Sequence, residues 1–209
     1  MSLEDLRVLL VTDGSADPER IVAVASAARA GGVRAVQVRE PALSGADLLR
    51  LVSTLRDLFP PGGGTLLVND RLDVARAAGA DGVHLGFRSV RPEEARRLLP
   101  GAVVGASVHD PAEARRAEDG GADYVVFGPV FATPSKAGRL EPRGIAALSE
   151  AARNSRAPVI AIGGVDASNG RECARAGAFG VACIRALFDA RDPASEARAL
   201  LDAAGGRRP

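Results

Sequence analysis

With 209 residues, 46% of them hydrophobic, the chain is long enough for one domain with a complete buried core. Its 27 basic and 26 acidic residues nearly cancel to a formal net charge of +1, so composition gives no electrostatic case for a nucleic-acid partner. No apolar run approaches the roughly 18 residues of a membrane span, the N-terminus lacks a charged-then-apolar leader, and Cys173 and Cys183 have no metal-ligand spacing and read as reduced; the expectation is a soluble, cytoplasmic protein with no membrane partner.

From the N-terminus onward, short and nearly all-apolar runs predict strands at 7–11, 35–38, 65–68, 82–85, 103–107, 124–127, 159–162 and 180–183. Helical patterns fall between them. A helix over 18–30 follows Asp17 as N-cap, and one over 45–58 follows Ser44. A helix over 92–99 opens on Pro92 and places Glu93 and Glu94 in its first turn, where the helix dipole favours anions. Another over 111–118 follows Asp110.

One phrase recurs four times, at 28–39, 75–86, 118–129 and 174–184. Each copy joins a helical stretch to a glycine suited to a left-handed cap, then to a short apolar run. Parallel neighbours need such crossovers. Eight strands alternating with helices predict an α/β fold, a (β/α)8 TIM barrel, as a single domain over 1–204 with 205–209 as a disordered tail. The alternative, a doubly wound open sheet, usually has fewer strands and a glycine-rich first turn. Here the first strand leaves through Val11-Thr12-Asp13-Gly14-Ser15, which is no dinucleotide fingerprint.

In such barrels the chemistry lies at the C-terminal ends of the strands. Those ends carry Thr12 and Asp13; Gln37, Arg39 and Glu40; Asn69 and Asp70; His84 and Gly86; Ser107 and His109; Gly128 and Pro129; Gly163 and Gly164; and Cys183 to Arg185. The loops after strands seven and eight, with Gly163, Gly164, Ile184 and Arg185, form the usual phosphate site of barrels; the alternative is that the two glycines merely make a tight turn. The loop after strand six carries Thr133, Ser135 and Lys136, the only Lys in the chain, and could close over an anionic substrate. His84, flanked by Val83 and Leu85, reads as a packed, hydrogen-bonded core histidine. His109 lies just beyond strand five and reads as an acid/base, or alternatively as a cap for the following helix.

Taken together, Gln37-Val38-Arg39-Glu40, Val68-Asn69-Asp70-Arg71, Gly82-Val83-His84-Leu85, Gly105-Ala106-Ser107-Val108-His109, the 128–136 loop and Ala161-Ile162-Gly163-Gly164 resemble the thiamine phosphate synthase and thiazole tautomerase superfamily. The resemblance implies small phosphorylated thiazole substrates and, for the synthases, a pyrimidine diphosphate joined to the thiazole with Mg²⁺ and release of pyrophosphate. It also implies that Asp70 is one of two metal-binding carboxylates. This chain departs from the synthase pattern where Pro41 replaces a Lys and Ser89 replaces the second Asp; Arg185 departs from the wider family, whose members generally have Ser beside the phosphate.

On these departures the expected activity is that of the tautomerase branch, an isomerase that aromatises a carboxythiazole phosphate by proton transfer through His109, with no cofactor. Gln37, Arg39, Asn69, Ser107, Thr133, Ser135 and Lys136 are its expected substrate contacts. The alternative is a Mg²⁺-dependent thiamine phosphate synthase, a transferase. A second alternative is a non-catalytic regulator that binds thiazole or thiamine phosphate. Barrels of this kind often dimerise, so a homodimer is one expected assembly.

Overall fold

The computed structural model describes residues 2–133 and 141–205. Eight parallel strands close into one barrel in sequence order: β1 (Val8–Val11), β2 (Ala35–Val38), β3 (Thr65–Asn69), β4 (Gly82–Leu85), β5 (Val103–Val108), β6 (Tyr124–Phe127), β7 (Val159–Ile162) and β8 (Gly180–Cys183). The crossover helices are α1 (Pro18–Ala30), α2 (Gly45–Leu58), α3 (Leu72–Ala77), α4 (Pro92–Leu98), α5 (Pro111–Asp119), α6 (Gly144–Asn154) and α7 (Gly170–Arg175), followed by α8 (Arg185–Phe188) and α9 (Pro193–Ala204). This is the (β/α)8 barrel expected from the sequence, with boundaries displaced by at most one residue where strands and helices were anticipated. The first strand starts at Val8 and not Arg7 because Leu3–Arg7 form a 3-10 turn, capped by the Ser2 side chain.

The helix starts follow from their caps. Asp17, Ser44 and Asp110 each accept a hydrogen bond from a backbone N–H in the first turn, satisfying a donor that has no partner within the helix. In each of the four repeats a glycine adopts positive φ: Gly32 at 107°, Gly79 at 62°, Gly121 at 92° and Gly177 at 101°. The chain can then leave the helix and enter the next strand without a Cβ clash. Helix α9, which the sequence reading did not place, packs on α1 so closely that a Cβ on Gly31 would lie 2.3 Å from the Ala194 carbonyl oxygen.

Alternation along the strands separates two apolar layers. One set, including Val8, Leu10, Val36, Val68, Val83 and Phe127, packs beneath the helices. The other, Leu9, Val11, Ala35, Leu67, Tyr124, Val126, Ile160 and Ala182, fills the barrel, with Leu6 of the 3-10 turn and Phe179 at the strand N-termini. Cys183 belongs to the helical layer, so it turns away from the barrel mouth where the strand-end reading had placed it. Both cysteines are buried and free, and burial pushes each thiol up to about 12. Among the described residues no helix is long and apolar enough to cross a membrane.

Candidate active site

The interior positions of β2 to β5 become polar toward their C-terminal ends. Register pairs Asn69 with His84 and His84 with Gly105, so the Asn69 and His84 side chains project into one space beside a glycine. Gln37, 4% exposed, donates from Nε2 to Oδ1 of Asn69 at 2.9 Å, and Asn69 donates from Nδ2 to Oδ2 of Asp70 at 2.8 Å. Arg39 lies two residues beyond Gln37 and is exposed; its backbone N–H donates to the buried Thr12 hydroxyl at 2.8 Å. Glu40 is 3% exposed and holds the β1–α1 loop by accepting from the Gly14 and Ala16 N–H groups at 3.0 and 2.8 Å. Glu40 therefore shapes the rim from beneath.

Asp70 sits immediately after β3 with φ at 60°, a left-handed conformation that Asp tolerates better than most side chains. Its Oδ1 accepts from the Gly86 N–H at 2.9 Å and also from the Ser89 hydroxyl, while its backbone N–H donates to the His84 carbonyl at 3.0 Å. Ser89, the residue in place of the second carboxylate, thus touches the first one. The donor set is two hard oxygens side by side. Among the described residues no three His, Cys, Asp or Glu gather as a protein cage. That arrangement suits Mg²⁺, which commonly takes one or two carboxylates and completes its shell with phosphate oxygens and water.

His84 is the packed histidine that its apolar neighbours suggested. It is 2% exposed, with Nδ1 3.1 Å from the Tyr124 hydroxyl and Nε2 2.9 Å from Ser107 Oγ. Burial pushes its imidazole down to about 4, an effect partly offset by the Asp70 carboxylate. The unfolded chain therefore takes up a proton here below about pH 6.5, and the folded chain only near pH 4. Stability present above pH 6.5 is expected to fall by about 3 kcal/mol as the pH drops toward 4. Urea midpoints measured across that window should show the loss, and His84→Gln should flatten it.

His109 is largely buried; its Nδ1 lies 3.0 Å from Oε2 of Glu113, which also accepts from the His109 backbone N–H at 2.7 Å. A carboxylate there draws the ring proton to Nδ1 and leaves Nε2 as the acceptor of the neutral imidazole. Glu113, in the first turn of α5, was not singled out from sequence. A carboxylate four residues after a strand-end histidine was the available signal.

Gly163 and Gly164 follow β7 with φ at 97° and 66°. The β6–α6 loop crosses them closely: Val130 and Phe131 donate to the Ile162 and Gly163 carbonyls at 2.8 and 2.9 Å. A Cβ on Gly163 would stand 2.5 Å from that of Pro129, so these glycines serve loop packing as well as exposing backbone. Asn169 fixes the turn by donating to the Gly164 carbonyl at 2.8 Å. Ile184 precedes α8, which Arg185 begins; Arg185 is exposed and shares a shallow hollow with Asp166, Asp189 and Glu196. Thr133 is at the edge of the described chain. Ser135 and Lys136 lie outside the described residues, as do residues 206–209; Gly205 caps α9 by donating to the Leu201 carbonyl at 2.8 Å.

Comparison with known proteins identifies the family. The family model described as thiamine monophosphate synthase matches residues 8–187. The thiamine-phosphate synthase of Anaeromyxobacter dehalogenans is 49% identical over 192 residues, covering 90% of this chain and 84% of that protein. That of Albidiferax ferrireducens is 43% identical over 206 residues, covering 96% and 94%. A solved structure of thiamine phosphate pyrophosphorylase from Pyrococcus furiosus superposes with a TM-score of 0.89 at 33% identity over 98% of both chains. A 3-hexulose-6-phosphate synthase structure, at 21% identity and a TM-score of 0.73 over 93% of this chain and 98% of that one, shares the fold alone. With the match running through every strand, this barrel belongs to the thiamine monophosphate synthase family.

Proposed function

We propose that the protein is a thiamine-phosphate synthase, joining a pyrimidine diphosphate to a thiazole phosphate. The observation that carries the reading is the Asp70–Ser89 oxygen pair, clamped by the Gly86 N–H, in a chain whose full-length relatives bear that name. The loss of the second carboxylate had favoured the tautomerase. Contact between Ser89 and Asp70 removes much of that objection, because a hydroxyl can still supply oxygen beside a single carboxylate.

In this reading Asp70 and Ser89 would hold Mg²⁺ together with diphosphate oxygens, and the ion would offset the charge of the leaving pyrophosphate. The thiazole nitrogen supplies the electron pair for the new C–N bond as the C–O bond to the diphosphate breaks. Arg39, two residues beyond Gln37, is assigned as a cation for the diphosphate, and with Pro41 in place of a Lys it would carry that charge without its neighbour. The turns at Gly163–Gly164 and Ile184–Arg185 are assigned to the thiazole phosphate. Ser107 meets the pyrimidine diphosphate. Thr133, Ser135 and Lys136 are assigned to the closing loop.

One observation favours the isomerase as a second reading: the Glu113 carboxylate orients His109 as a proton carrier would require. The two part in one experiment. Pyrimidine diphosphate, thiazole phosphate and Mg²⁺ are expected to give thiamine phosphate and one pyrophosphate per turnover, followed by coupled phosphate release. Aromatisation of the alkylidene carboxythiazole phosphate in D₂O without any coupling would overturn the synthase. Thermal stabilisation by either phosphate with no turnover of any substrate would leave the binding regulator.

A further inference from the structure

Tyr124 is fully buried, and among the described residues its hydroxyl has one hydrogen-bond partner, Nδ1 of His84 at 3.1 Å. The ring reaches that partner only because residue 105 lacks a side chain: a Cβ on Gly105 would stand 2.1 Å from Tyr124 Cζ. Both groups are enclosed, His84 at 2% and Tyr124 at 0% exposure, an environment that favours the neutral phenol and the neutral imidazole. The pair therefore holds one phenolic proton and one ring proton.

Their placement follows from what a buried donor costs. Were the ring proton on Nδ1, it would point at the phenol oxygen and strand the phenolic proton without an acceptor, at the full desolvation cost of that group. With the phenol donating to Nδ1, the ring proton sits on Nε2 and donates to Ser107 Oγ at 2.9 Å. The hydroxyl proton of Ser107 then turns away from His84. Ser107 is half-buried while His84 and Tyr124 are enclosed, so the open direction is the barrel mouth.

We infer, resting on the synthase reading for what Ser107 meets, that Tyr124 and His84 are positioning residues: through the Nε2–H tautomer they set Ser107 as a fixed hydrogen-bond donor to a substrate acceptor. That acceptor is a ring nitrogen or an anionic oxygen of the diphosphate substrate. Ser107 cannot hand its proton to an Nε2 that already carries one, so it is a donor and not a histidine-activated nucleophile. Tyr124 acts through two intervening groups and touches no substrate.

The tautomer is read directly by ¹⁵N NMR of the two imidazoles, with His109→Ala assigning the pair. Wild-type protein is expected to show His84 as Nε2–H; an Nδ1–H or doubly protonated ring at neutral pH would overturn the inference. Tyr124→Phe keeps the ring and removes one oxygen. It is expected to shift the His84 tautomer and lower kcat about tenfold with KM nearly unchanged. Wild-type kcat in that variant would sink the proposal. His84→Gln, whose amide carries an N–H out to the Nε2 position, should retain more kcat than His84→Asn, and the reverse order counts against it. Because the tautomer is measured without turnover, a wild-type protein that fails to couple rejects the synthase reading separately from this one.

Discussion

Asp70→Asn is expected to lower kcat/KM for Mg²⁺-dependent coupling by about 100-fold or more, equivalent to at least ~2.7 kcal/mol of transition-state stabilisation. Asn tolerates the left-handed φ of 60° at this position, so the backbone is unstrained by the change. Its Oδ1 can still accept from the Gly86 N–H and the Ser89 hydroxyl. Only the contact with Asn69 Nδ2 becomes donor against donor, at a cost of about 1 kcal/mol. Charge is thereby separated from fold. Coupling rates at saturating Mg²⁺, read beside the urea midpoint, check the prediction: a variant that is well folded and retains near wild-type coupling would remove Asp70 from the chemistry. A variant with normal rate but a much higher Mg²⁺ requirement would restrict its role to affinity for the ion.

Gly105→Ala is expected to destabilise the fold by about 3 kcal/mol or more, near the upper end for one added methyl group in a packed core. The new Cβ would meet three atoms of the Tyr124 side chain at 2.1 to 2.4 Å. Tyr124 is fully buried and tied to His84, so the ring has no open space to move into. Denaturant unfolding checks the magnitude. The double variant Gly105→Ala with Tyr124→Leu should be more stable than the sum of the singles implies, because removing the ring removes the clash. Additive effects would mean that the penalty comes from the strand backbone and not from the tyrosine. Gly82 offers a contrast, since a Cβ there would stand 2.1 Å from the Val103 carbonyl oxygen, which no side-chain change can relieve.

Much of the site was legible because its chemistry sits at predictable places along the chain. Asn69, Asp70, Ser107 and His109 stand at or just past strand ends, and the periodicity of the strands marks those ends without any tertiary information. The packed state of His84 also followed from its neighbours. Tyr124 was not legible as a site residue. It begins its strand, six residues before Val130, and reads as one more apolar core position. Its partner is 40 residues away in sequence, and the glycine that admits its ring is a cross-strand neighbour. Ser89 was read as a loss for a related reason: the resemblance marks the missing carboxylate, and only folding shows that the hydroxyl lands on the remaining one.

The sequence by itself determined the eight strands, the capped helices between them and the barrel that their order requires. Each of those rests on interactions within a few residues: alternation along a strand, a side chain bonded to the next turn, a glycine at positive φ. The tertiary structure alone decided which side chains share the interior. Parallel register set Asn69 beside His84 and Gly105 beside Tyr124, and the β4–α4 loop returned Ser89 to Asp70. Contacts across strands depend on register between segments far apart in the chain, and a pattern read along one segment does not contain it.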